Sequence, residues 1–352
     1  MPQRRTDRRA RYGLGALALL LLVGGCSNFG YYMQSVGGQL NLNAARQPVD
    51  SVIADPSTPE PLKRRLEHAI AIRQFASSDL HLPDNGSYRS YADLHRPYVV
   101  WNVFAAEEFS VEARKWCFLF AGCVAYRGYF SKEGADEYAA GLRGEGLDVH
   151  VGGIPAYSTL GWFDDPLLNT FINYPDYELA RLIFHELAHQ VVYVKGDSEF
   201  NESFAVAVEI AGVDRWLAQY GDAAMRTGAA LSRERRTQFA ALVLDAREKL
   251  KRLYMLEIAP DVMRERKAGL FGELQRDYAQ LKQEWGGFAG YDRFLADANN
   301  ALLASFSLYH GLLPAMQRLF ARQGGDFDAF YAEVRRLAAL PKSERDAALA
   351  EP

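Results

Sequence analysis

Cysteine is scarce. The chain has three cysteines in 352 residues, which excludes a disulfide-dense scaffold and a cysteine-rich metal cluster. Excess positive charge is also missing: 40 basic residues face 44 acidic ones, a net charge of -4, and nothing in that balance suggests a nucleic-acid binder, which would need a basic face. There are no internal repeats and no low-complexity blocks. The only strongly apolar run, Leu14 to Val23, is too short for a comfortable membrane span. What is present is ordinary globular composition, 49% hydrophobic and 24% charged, enough for one large domain or two small ones.

Glycine and proline are absent between Asp176 and Lys195, and in that gap lies His185-Glu186-Leu187-Ala188-His189. Leu179, Leu182, Ile183 and Leu187 recur at helical spacing, with Asp176 after Pro175 as the expected cap. Residues four apart share one helix face, so His185 and His189 can grip one metal ion, and Glu186 can serve as base for a water at the ion's open position. Two imidazoles and a carboxylate base form the working set of a zinc hydrolase. A third ligand is required, and Asn201-Glu202-Ser203-Phe204-Ala205 follows shortly.

This pair of segments resembles the gluzincin metallopeptidases, and the whole chain resembles a bacterial family of predicted aminopeptidases that are lipoprotein-like. The resemblance implies Zn2+ held by His185, His189 and Glu202, with Glu186 as general base. Glu209 lies two helical turns after Glu202 on the same face and reads as an outer partner that orients a ligand histidine, with Asn201 in a similar outer position. The separation of His189 from Glu202 is shorter than in aminopeptidase N-like enzymes, and their G-x-M-E-N segment is absent. The resemblance further implies a tyrosine or histidine that stabilises the oxyanion; Tyr309 is the first choice and His310 the second. It also implies an edge strand before the zinc helix that binds substrate backbone, placed at Ile154 to Leu160 with Ala156, Tyr157, Ser158 and Thr159 at its centre. A buried core strand and turn is the alternative there. Asp164 and Asp165 are candidate partners for a substrate's free amine.

The amino terminus reads as an export signal over residues 1–25: arginines from Arg4 to Arg11, the apolar run, then Val23-Gly24-Gly25-Cys26, which resembles a bacterial lipobox. The implied product is lipidated on Cys26 and held to a membrane by its acyl chains. Ser27 fits outer-membrane sorting facing the periplasm, with the inner membrane as alternative. Residues 26–48 read as a tether and 49–352 as the zinc metallopeptidase domain.

Within that domain the expected fold is α+β, mostly helical and zincin-like. A small sheet region over 95–165 precedes the His-Glu-x-x-His helix, and a helical region covers 166–352. Helices are expected over Pro59 to Phe75, Ser131 to Glu145, Arg233 to Tyr254 and Met263 to Trp285, the last two as an antiparallel pair. Leu217 to Ala229 reads as a loop or short helix. Strands are expected at Tyr98 to Ala105, Phe109 to Phe120 and Leu147 to Val151. Cys117 and Cys123 are positioned to pair in an oxidising compartment, with buried free thiols as the alternative. Peptide is the expected substrate. The rival readings are a periplasmic endopeptidase for envelope quality control and a non-catalytic lipoprotein scaffold with a structural metal site.

Overall fold

The strand with the strongest β-forming sequence, Val100–Ala106 (β3), is buried at every position. In the chain order used below, β1 is Gln47–Pro48, β2 Ser90–Ala92, β4 Trp116–Phe118, β5 Gly122–Val124, β6 Arg127–Tyr129, β7 Asp148–Ile154 and β8 Leu167–Leu168. β3 lies between β6 and β7, antiparallel to both, with Val103 opposite Val151 and Phe104 opposite His150. A β-branched and aromatic run suits such a central strand, whose two faces are both covered. A second small sheet has the order β1-β2-β8, and β4 pairs with β5 alone.

This computed structural model describes residues 30–118, 122–156, 158–307 and 312–350. Two compact units divide after Ala45. In the first, residues 30–44 form a helix (α1), so the stretch read as a tether is largely helical. Among the described residues no helix is long and apolar enough to cross a membrane.

Among its described residues the second unit carries twelve further helices: α2 Val49–Ala54, α3 Glu60–Ser78, α4 Lys132–Gly144, α5 Asp176–Ala188, α6 Ser198–Tyr220, α7 Ala223–Tyr254, α8 Pro260–Glu284, α9 Asp292–Leu295, α10 Asn300–Ser307, α11 Leu313–Arg322, α12 Phe327–Ala338 and α13 Lys342–Ala350. The fold is α+β and mostly helical, as the sequence implies. Ser131 caps α4 by accepting from the Gly134 amide at 3.1 Å. α7 and α8 form the expected antiparallel pair, closed by Phe239, Val243, Leu250, Met263, Leu274 and Tyr278.

Several expectations are corrected. α7 begins at Ala223 rather than Arg233, because Asp222 caps it through the Met225 amide at 2.7 Å and the long run tolerates Gly228. Of Phe109 to Phe120 only Trp116–Phe118 is strand among the described residues. The pairing of Cys117 with Cys123, by contrast, is as expected: they face each other across β4 and β5 and are joined by a disulfide. The helix that carries His185 ends at Ala188, and His189 is its C-cap residue. Its N-cap position is Pro175. Asp176 lies inside the first turn, where it accepts from Arg65 and from His68 Nδ1 at 2.9 Å and so fastens α5 to α3.

Candidate metal centre

α5 presents an apolar face to the core and a polar stripe beside it. Leu179, Leu182, Ile183, Phe184 and Leu187 are buried in the core, while Glu178, Arg181, His185 and His189 recur three or four residues apart. α6 packs against α5 so closely that a Cβ on Gly212 would come within 2.7 Å of Leu80 and 2.9 Å of Phe184. That approach brings the polar stripe of α5 against Glu202 and Glu209.

Three side chains converge. His185 Nε2 lies 3.2 Å from His189 Nε2 and 3.3 Å from Glu202 Oε2, and His189 Nε2 lies 3.7 Å from that same oxygen. Donors bonded at about 2 Å to one tetrahedral ion stand about 3.3 Å from one another. Among the described residues His185, His189 and Glu202 are the one such group. The two imidazoles are driven apart: burial pushes His189 down to about 4, whereas the carboxylates favour a charged His185. Burial opposes a charged His185, yet hydrogen bonds to Glu202 and Glu209 push it up to about 10. Burial likewise opposes ionised Glu202, and the imidazoles outweigh it, holding the carboxyl below its usual range. A divalent ion among these donors satisfies the same carboxylates without requiring a proton on either ring, so the donor set fits a metal.

Glu209 stands against this group. It is buried, and its Oε2 accepts from His185 Nδ1 at 2.9 Å, which leaves Nε2 free to bind an ion. Sequence reading missed the next link. Arg181 donates to Glu209 at 3.2 Å and to Glu178 at 2.7 Å, and Glu178 accepts in turn from Arg236 and Ser232 of α7. The charged stripe inside an apolar helix was the available signal. His189 has no comparable support, for its Nδ1 is buried without a partner among the described residues. Tyr193 stands edge-on to its ring at 6.4 Å.

Glu186 makes no hydrogen bond among the described residues. Burial pushes its carboxyl up to about 7, and the charges of Glu202, Asp165 and Glu209 act in the same direction against the opposing pull of His185. A carboxyl near neutrality and free of partners is suited to taking and returning a proton.

The other predicted residues fall elsewhere. Asn201 does not touch a ligand. Its amide brackets Val194, accepting from the nitrogen at 2.7 Å and donating to the oxygen at 2.8 Å, and thereby fixes the turn between α5 and α6. Ala156, Ser158 and Thr159 lie beyond the end of β7 and are not in a strand; the edge strand is β7 itself, paired on one side with β3. Thr159 Oγ1 is engaged with the Phe163 backbone, closing a tight turn whose amide at Thr159 donates to Asp165 at 3.0 Å. Asp165 is therefore buried in a structural role, and Asp164 is exposed. Tyr157, Tyr309, His310 and Cys26 lie outside the described residues.

The fold and the centre together define an α+β protein with a His-Glu-x-x-His helix and a three-donor pocket able to hold a metal. The chain belongs to the family described as putative aminopeptidase, whose model matches residues 30–349. Neither the curated proteins nor the solved structures give a match. Family membership points to a peptidase-type hydrolase acting on peptides.

Proposed function

We propose that the protein is a zinc-dependent peptide hydrolase that removes amino-terminal residues, carried as a lipoprotein on the periplasmic face of the bacterial outer membrane. The observation that supports this most is the convergence of His185, His189 and Glu202 beside a Glu186 carboxyl that has no other partner among the described residues. A His/His/Glu donor set suits zinc. When bound, zinc supplies a Lewis acid that polarises a carbonyl and acidifies water to a pKa of about 7.

The chain's own residues do the rest. Glu186 takes a proton from the attacking water as its oxygen bonds to the scissile carbon. It returns that proton to the amine nitrogen as the C–N bond breaks. Glu209 and Arg181 hold the His185 ring so that its Nε2 faces the pocket. Tyr309, with His310 as second choice, is assigned to the oxyanion. Export is supported by Val23-Gly24-Gly25-Cys26 and by the Cys117–Cys123 disulfide, a bond that persists in an oxidising compartment.

The test is hydrolysis of matched peptides with free and acetylated amino termini by the full chain and its Glu186→Gln variant. Cleavage of free peptides alone, lost in the variant, is the expected result. Cleavage of both kinds makes the protein an endopeptidase. Cleavage of neither by zinc-loaded protein refutes the hydrolase reading.

A further inference from the structure

The segment Asn85-Gly86-Ser87-Tyr88 connects α3 to β2, and it is held with unusual completeness. Arg73, buried in α3, donates to the oxygens of Ser87 at 2.8 Å and Pro83 at 2.6 Å. Gln190, next to His189, accepts from Asn85 at 2.7 Å and donates to Ser87 Oγ at 3.2 Å. The Tyr88 amide donates to the Asp165 oxygen at 2.6 Å. Together these ties fix the segment, and two of them fix it to the residue that follows a metal-ligand candidate.

What these ties hold in place is Tyr88, and its state is costly twice over. Its φ is +63°, in the left-handed region that a bulky side chain rarely adopts. His81, His95 and Leu160, the other described non-glycine residues with positive φ, are not buried, whereas Tyr88 is 1% exposed. Its hydroxyl is buried with no hydrogen-bond partner among the described residues. A buried hydroxyl normally finds one, because leaving it unpaired forfeits its hydration for nothing. Gln190, which ties this segment down, stands four residues after Glu186, so the segment is fastened beside the His-Glu-x-x-His stretch; burial raises the Tyr88 hydroxyl's pKa well above the usual phenol value, and the charges of Glu186 and then Asp165 raise it further, against the pull of Arg73. The phenol is thus buried without a partner, and the Glu186 carboxyl, half-buried, makes no hydrogen bond among the described residues.

We infer that Tyr88 is a catalytic residue whose hydroxyl donates a hydrogen bond to the reacting peptide group at Glu186. This rests on the hydrolase reading above. The missing partner of the phenol is then the substrate. A donor pre-aimed at charge that develops during the reaction acts mainly on the chemical step and little on ground-state binding.

The test is Tyr88→Phe, which removes only the unpartnered oxygen, in the full-length zinc-loaded protein beside Glu186→Gln. The expected result is a fall in kcat of about 100-fold with KM within about threefold, unchanged zinc content, and a Tm equal to or above that of the parent. Retained activity in Tyr88→Phe, with Glu186→Gln inactive, overturns the proposal and leaves the hydrolase reading intact. A lowered Tm, lost zinc or failed folding in Tyr88→Phe also overturns it, because the oxygen would then serve the fold. Full activity in Glu186→Gln defeats the hydrolase reading itself, and the proposal falls with it.

Discussion

Glu209→Gln isolates the outer carboxylate of the centre. The substitution keeps the shape and one acceptor oxygen but removes the charge that faces His185 Nδ1 at 2.9 Å and Arg181 at 3.2 Å. Glu209 is buried, so no water replaces what is lost. Outer partners of ligand histidines contribute about 10- to 100-fold to metal affinity, which is about 1.4 to 2.7 kcal/mol. Arg181 remains paired with Glu178 at 2.7 Å, so the variant is expected to stay folded. Zinc affinity is read by competition with a chelating dye, and folding by urea unfolding of the metal-free protein. Arg181→Met should weaken zinc binding less, because it acts through Glu209, and Glu202→Gln should weaken it more, because it removes a donor. An unchanged zinc Kd in Glu209→Gln, within about twofold, would refute the claim that this carboxylate supports the centre.

Gly212→Ala should destabilise the protein by about 1–3 kcal/mol in urea melts, because the new methyl meets Leu80 and Phe184 in a filled core; it should also weaken zinc binding by forcing α5 away from α6. Asp165 has a carboxyl raised from 3.8 to about 6 by burial, so the folded state holds its proton more tightly than the unfolded chain and stability is lost as pH rises from about 4 to 6. Relative to the parent, Asp165→Asn should therefore gain about 3 kcal/mol in urea unfolding between pH 3.5 and pH 8. Cys117→Ser should cost about 2 kcal/mol on the loop-closure model, and peptide mapping after alkylation in denaturant should find Cys117 and Cys123 blocked until reductant is added.

The centre is readable in the sequence wherever its geometry is local. Residues four apart on a helix must share a face, so spacing alone pairs His185 with His189. The same rule places Glu209, two turns beyond Glu202, on the ligand's side of α6. Ser131 as a cap and β3 as a buried strand are legible from residue type alone. Legibility ends where a role depends on the approach of distant segments. Nothing near Asn201 in sequence shows that its amide spends itself on Val194, and nothing about Asp165 shows that it is consumed by the Thr159 turn. The strand expected over Ile154 to Leu160 is not formed among the described residues, because β7 ends at Ile154 and Pro155 has no amide to continue its ladder. Tyr88 carries no signal beyond the turn before it; its burial comes from α3 and the end of α5 closing over a surface-like sequence. Arg181 is visible as a charge on an apolar helix, but its partner Glu209 stands on the next helix, and spacing along α5 says nothing of that meeting.

The Val194 clamp of Asn201 has a consequence for how the centre comes into being. The turn it fixes joins α5 directly to α6, so all three donors and Glu209 belong to one helix–turn–helix stretch between Asp176 and Tyr220. Contacts close in sequence form fast during folding, ahead of the distant pairings that assemble β1, β2 and β8. A metal ion held by these donors would therefore tie together two helices that are neighbours in sequence, and would need no distant segment to complete its ligand set.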